Sequence, residues 1–88
     1  MKNFECIVSV STVNNERLIR FKEVCFKHKF RVPRLYSEDA TFCVSQDKDL
    51  NIILDRMINL VWDLKDNKFE VMGYQAVEVI VSVQVPNG

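Results

Sequence analysis

The stretch Ala76-Val77-Glu78-Val79-Ile80-Val81-Ser82-Val83-Gln84-Val85 is the segment on which our prediction of the fold depends. Valine occupies every second position from Val77 to Val85. Because successive side chains of a strand point to opposite faces of the sheet, this alternation predicts a strand with a buried valine face and a partly hydrated opposite face. We expect this last strand to lie at a sheet edge, where a long apolar strand favours pairing with another chain.

The composition is that of a small folded domain. The chain has 88 residues, of which 48% are hydrophobic and 27% are charged, with two glycines and two prolines. These values argue against disorder, and a core of this size gives only marginal stability, which a second copy of the chain would increase. We expect one domain spanning residues 1–88. We also expect a cytoplasmic location, because no signal-peptide core and no apolar run of transmembrane length occurs.

Hydrophobic periodicity predicts the other elements. Alternation predicts a strand at Phe4–Ser11, a weaker strand at Arg31–Ser37 and a third strand at Thr41–Ser45. Apolar spacings of three and four predict helices over about Asn14–Lys29 and Lys48–Asp66. The predicted core stripe of the first helix consists of Leu18, Phe21, Val24, Cys25 and His28. That of the second consists of Leu50, Ile53, Leu54, Met57, Val61 and Leu64, with Ile58 and Leu60 on its flanks. The order of elements is therefore strand, helix, strand, strand, helix, strand.

This order is that of the ferredoxin-like α+β fold. We predict a single ferredoxin-like βαββαβ domain, with a four-stranded antiparallel sheet and both helices on one face. The first and third strands would then be central, and the second and fourth would be the edges. Pro33 agrees with an edge position for the second strand, because proline has no backbone N–H to donate. The segment Lys68–Tyr74 is compatible with either a loop or a short extra strand.

Apolar residues outside the core stripes of the two helices are candidates for a protein interface, since aromatic side chains are enriched at binding hot spots. We predict a non-enzymatic protein–protein interaction module that forms a homodimer. A second form of this hypothesis is a phage or mobile-element inhibitor or adaptor of a larger protein, for example a host-defence complex, and it rests only on small size and the lack of cofactor motifs. The predicted interface residues are Val77, Val79, Val81, Val83, Ile19, Phe26, Ile52 and Trp62.

The net charge of zero conceals an uneven distribution. Residues 1–36 contain eight basic and three acidic residues, a net charge of +5, and the rest of the chain contains four basic and nine acidic residues, a net charge of −5. The alternative function is therefore nucleic-acid binding through the basic first helix, although a neutral chain is atypical of such domains. The basic patch would consist of Arg17, Arg20, Lys27, Lys29, Arg31 and Arg34.

The cysteines and the single histidine are the remaining chemical candidates. Cys6, Cys25 and Cys43 have no CxxC or Cys/His metal spacing, so we predict neither a disulfide nor a zinc site, and we expect them to be small buried hydrophobes. Cys25 and His28 are three residues apart on a predicted helix, and a small hydrolase using this pair is a third hypothesis. Both residues fall on the apolar stripe, which favours a structural role. The sequence predicts no metal, no cofactor and no membrane partner.

Overall fold

A computed structural model describes residues 2–33 and 39–80. The elements are three strands and two helices: β1 (Lys2–Ser11), α1 (Asn15–Lys27), β2 (Ala40–Asp47), α2 (Leu50–Asp66) and β3 (Val71–Ile80). The strand β1 is the middle strand of a three-stranded sheet of order β2-β1-β3 and is antiparallel to both neighbours. The fold is therefore α+β, with one antiparallel sheet.

The predicted four-stranded ferredoxin-like sheet is wrong. In the predicted strand Arg31–Ser37, Arg31 forms one isolated antiparallel bridge with Val44, and residues 34–38 lie outside the described residues. The element predicted as a central third strand, β2, is consequently an edge of the three-stranded sheet. Pro33 follows the bridge closely, and because it has no N–H it cannot contribute to a regular ladder there.

The last strand begins earlier than predicted. The segment Lys68–Tyr74, which the sequence left undecided, contains the start of β3, and the backbone N–H of Ser11 donates to the Glu70 carbonyl at 2.9 Å. A register shift between Ser9 and Val10 accommodates the start of the strand. The predicted continuation over residues 81–85 lies outside the described residues.

Val77 and Val79 lie on the face of the sheet that points away from the helices, which corrects their predicted burial, whereas Val71 at the start of β3 packs against the core. Ala76 pairs with the fully buried Cys6, whereas Val77 pairs with Glu5. Val77 is 39% exposed. Because side chains alternate, the position of Ala76 on the helix-facing side places Val77 and Val79 on the open side.

The core lies between this sheet and the two helices. Alternate β1 residues Cys6, Val8 and Val10 belong to one buried cluster with side chains of both helices, so the helices cover the same face of the sheet. The helix stripes are close to those predicted. The buried helical residues are Phe21, Val24 and Cys25 on α1, and Ile53, Met57, Leu60, Val61 and Leu64 on α2.

Both helices are capped at each end by local hydrogen bonds. The side chains of Asn14 and Asp49 accept hydrogen bonds from backbone N–H groups of the first turns of α1 and α2. At the C-terminal ends, Lys29 and Lys68 have φ values of 64° and 66°, the left-handed conformation that ends many helices. The following residues, Phe30 and Phe69, are buried in the core and donate their N–H groups back to the last helical turn. Each helix end therefore also fixes an aromatic side chain in the core.

Candidate protein-binding surface

A cluster of exposed apolar side chains lies where α2 is next to β3. Ile58 and Trp62 are four residues apart and therefore occupy one side of the helix. Tyr74 lies on the helix-facing side of β3, because it pairs with the buried Val8. Ile58 is 51% exposed, Trp62 is 63% exposed and Tyr74 is 58% exposed. These three side chains and the adjacent outer edge of β3 are called the α2/β3 surface below.

A small groove of about 120 Å³ runs through the α2/β3 surface. Its floor is formed by Met57 and Val61, which are buried in the core, so the groove is continuous with the hydrophobic interior. Lys65 lines one end, and its Nζ lies 5.8 Å from the centroid of the Trp62 ring, within the range of a cation–π contact. The groove thus has an apolar base, two exposed aromatic walls and one positive charge.

The outer edge of β3 carries little that would discourage pairing with another strand. Within residues 2–33 and 39–80, β3 pairs only with β1, so the hydrogen-bonding groups on its other side face away from the sheet. Natural sheets protect such edges with lysines, prolines or short strands. In ten residues β3 has no proline and one charged residue, Glu78. This edge is therefore competent to accept a further strand.

The predicted interface residues that the structure describes do not form one surface. Trp62 belongs to the α2/β3 surface, whereas Ile19 and Phe26 lie on the solvent side of α1, where they are 67% and 60% exposed. Ile52 lines a different groove between the end of α1 and α2. Val77 and Val79 lie on the open face of the sheet, and Val81 and Val83 lie outside the described residues.

Two contributors to the α2/β3 surface were missing from the sequence prediction. Ile58 was assigned to the flank of the core stripe, although its spacing of four from Trp62 indicates a shared side of the helix. Tyr74 lies in the segment that the sequence left undecided, so its face could not be assigned before the register of β3 was known. The signal for Ile58 was present in the sequence, and the signal for Tyr74 was not.

The basic residues of α1 are largely engaged inside the molecule. The Arg17 guanidinium donates to the Asn67 backbone carbonyl at 2.6 Å and lies 4.2 Å from the centroid of the Phe69 ring. Arg20 donates to the Asn67 side-chain oxygen at 2.8 Å and 3.0 Å and pairs with Glu23 at 3.2 Å.

The rest of the predicted basic patch is small. Lys27 pairs with Asp63 at 3.3 Å. Lys29 and Arg31 are exposed, and Arg34 lies outside the described residues. Three of the five described residues of the predicted patch, Arg17, Arg20 and Lys27, thus also join α1 to α2 or to its C-terminal end.

The groove that contains Ile52 is lined by polar and charged residues, and its Arg56 side chain has partners on β2. It measures about 380 Å³ and lies between the end of α1 and α2. On its wall, Arg56 donates to the Ser45 hydroxyl at 3.0 Å and pairs with Asp47 at 3.1 Å. The Asp49 backbone N–H, followed by the charge of Arg56, lowers the pKa of Asp47. These contacts of Arg56 thus connect α2 to β2.

His28 acts as a link between the helices. Its Nε2 lies 2.7 Å from Asp63 Oδ2 on α2, and both side chains are largely buried. The hydrogen bond from His28 is the main cause of a lowered pKa at Asp63, and Lys27 adds to it. The contact between His28 and Asp63 therefore joins the end of α1 to α2.

The three cysteines converge in the core and are buried, as predicted. Cys6, Cys25 and Cys43 have no solvent exposure and are not joined by disulfides. Burial raises the pKa of Cys6 to about 11. The pKa of Cys43 is also raised, first by its interaction with the Cys25 thiol and then by burial. Neutral, inaccessible thiols are poor nucleophiles, because the thiolate is the reactive form.

Across residues 2–33 and 39–80, the side chains form no group of three or more His, Cys, Asp or Glu residues that could hold a metal ion. In the same part of the chain, neither α1 nor α2 is long and apolar enough to cross a membrane. On the open face of the sheet, Ile7, Ser9, Phe42 and Gln75 line a shallow depression of about 320 Å³.

Comparison with known proteins adds no assignment. No protein-family model matches this chain, and neither the comparison with curated proteins nor that with solved structures gives a significant match.

Proposed function

We propose that this chain is a protein-binding module that associates with a second copy of itself through the α2/β3 surface. The observation that carries the proposal is the adjacency of two exposed aromatic side chains, Trp62 and Tyr74, to a ten-residue strand that pairs only with β1 within residues 2–33 and 39–80. An edge strand supplies backbone hydrogen bonds, and the neighbouring groove supplies apolar contact and selectivity. Together they form a combined docking site.

A second copy is favoured over other partners by two features of the chain. The domain is small, and burial of apolar area against a second copy adds stability that a core of this size lacks. The edge of β3 is also nearly free of charge, so two such edges approach each other with little electrostatic repulsion. A basic protein surface or a nucleic acid would find little complementary charge on β3.

The test is the native mass of the protein by size exclusion with light scattering, over a dilution series at low and high salt. We expect a dimer of twice the 10.3 kDa chain mass that persists at high salt, because apolar burial is not screened. Ile58→Lys, which places a charge in the α2/β3 surface, should shift the protein to monomer. Ile19→Lys is the matched control, since Ile19 is at least as exposed as Ile58 but lies on α1.

Two results would contradict the proposal. A wild-type monomer at the highest concentration reached would exclude self-association and favour a larger protein partner. A dimer that Ile19→Lys disrupts as strongly as Ile58→Lys would place the interface elsewhere. Far-ultraviolet circular dichroism of each variant establishes that a change in mass does not reflect unfolding.

A further inference from the structure

The α2/β3 surface carries two opposite charges that form no ion pair with any other described residue. Lys65 lines the groove beside Tyr74, and its ammonium lies over the Trp62 ring. Glu78 is exposed and is the single charge of β3. No ion pair among residues 2–33 and 39–80 includes either residue.

The geometry of one strand keeps these two charges apart. Glu78 lies four residues beyond Tyr74 along β3, which corresponds to about 13 Å at the usual rise of a strand. Lys65 sits at the Tyr74 end. The two charges therefore belong to opposite ends of the same edge and are poorly placed to neutralise each other within one chain.

We propose that two copies pair their β3 strands antiparallel about a two-fold axis at Ala76, which brings Glu78 of each copy to Lys65 of the other. This register rests on the proposed function and specifies the arrangement of the dimer. The two sheets would join into one continuous six-stranded antiparallel sheet. Both pairs of helices would lie on the same face, because directly opposed residues of an antiparallel pair share a face.

The axis at Ala76 follows from the positions of the side chains. An axis at residue 76 pairs Tyr74 with Glu78 of the partner subunit, at a Cα separation of about 5 Å. Both residues lie on the helix-facing side, since Tyr74 pairs with Val8 and Glu78 pairs with Phe4. Lys65 borders Tyr74 and is thus within reach of the incoming carboxylate.

The other pairs of this register are also compatible. The small side chain of Ala76 meets its own copy on the axis, so the two strands can approach closely. On the open face, Val79 of the partner subunit would lie opposite Gly73, which has no side chain to obstruct it. By contrast, an axis at Tyr74 would oppose Glu70 and Glu78, and like charges directly opposite each other are destabilising.

The test is an exchange of charges between chains. The Lys65→Glu chain and the Glu78→Lys chain should each form weakened homodimers, because each homodimer would contain two like-charge contacts. A mixture of the two chains restores both attractive contacts in the heterodimer. The variants change the net charge of a neutral chain by two units in opposite directions, so native electrophoresis separates the heterodimer from both homodimers.

The matched control measures how much heterodimer forms merely because the two chains carry opposite net charges. Lys22 is an exposed lysine on α1, and Lys22→Glu gives the same net charge as Lys65→Glu. We expect the heterodimer fraction to exceed the statistical half when Lys65→Glu is mixed with Glu78→Lys, and to remain lower with Lys22→Glu. The single chain that carries both Lys65→Glu and Glu78→Lys should regain the wild-type dimer affinity.

The outcomes separate the two proposals. A wild-type dimer with equal heterodimer fractions in the two mixtures would overturn the Ala76 register and leave self-association standing. A wild-type monomer would overturn both. The substituted residues are exposed, so circular dichroism of the single chains should remain that of the wild type.

Discussion

Trp62→Ala is the substitution that tests the apolar part of the α2/β3 surface most directly. Trp62 is 63% exposed in the single chain. A tryptophan side chain contributes up to about 250 Å² of buried area, so about 160 Å² remains available for a partner. At about 25 cal/mol per Å², complete burial of that area would contribute about 4 kcal/mol per copy.

The expected effect on the dimer is smaller than this upper value, because interface area does not convert fully into affinity. If half of the exposed area is covered, each Trp62 contributes about 2 kcal/mol. A symmetric dimer contains two copies of the residue, so Trp62→Ala would cost about 4 kcal/mol, or a weakening of the dissociation constant by roughly three orders of magnitude.

The assay is sedimentation velocity or light scattering over a dilution series of wild type and variant. Phe26→Ala is the matched control, because Phe26 is also aromatic and 60% exposed but lies on the solvent side of α1. We expect Phe26→Ala to leave the dissociation constant within a few fold of wild type. Equal effects of Trp62→Ala and Phe26→Ala, or no effect of either on a stable dimer, would refute the reasoning.

Two further predictions concern the interior. Because His28 and Lys27 lower the pKa of Asp63, its ionised form stabilises the fold above the ordinary aspartate pKa, and this contribution is lost as the pH falls through the lowered value. Asp63→Asn should therefore lower the free energy of unfolding, measured in urea, by about 1–3 kcal/mol at pH 7 and by less at pH 3. The control Asp55→Asn, at an exposed position, should change this free energy little at either pH. A loss of stability in Asp63→Asn that is equal at both pH values would contradict this explanation. Cys6, Cys25 and Cys43 should react with a thiol reagent at least about a thousandfold more slowly in the native protein than in urea, since labelling requires opening of the core. Rapid native labelling of Cys25 alone would instead revive the hydrolase hypothesis.

The helices were well determined by local sequence patterns. The spacing of Phe21 and Cys25 on α1, and of Ile53, Met57 and Leu64 on α2, predicted core stripes that are buried in the structure. These patterns are informative because a helix repeats every 3.6 residues, so a single apolar stripe defines the buried side. The β1 alternation identified its buried residues for the same kind of reason.

The sheet was less well determined, because strand pairing depends on partners that are distant in the sequence. The predicted second strand, Arg31–Ser37, has a weak alternating pattern around Pro33. The described part of that segment contributes only the bridge between Arg31 and Val44, and no regular ladder. The start of β3 was equally undecided until pairing with β1 fixed it. Intrinsic strand preference depends strongly on such context.

The sequence by itself determined the positions of β1, α1 and α2, the burial of the cysteines and the exposure of Ile19, Phe26 and Trp62. Only the tertiary structure decided which of these exposed residues belong together. The valine alternation correctly predicted that Val77 and Val79 share one face. Because Ala76 pairs with Cys6 on the helix-facing side, that valine face is the one that points away from the helices. Likewise, the contacts of Arg17 and Arg20 with Asn67 join residues about fifty positions apart. Periodicity specifies which side chains share a face, whereas the identity of the opposing surface follows from long-range packing and register.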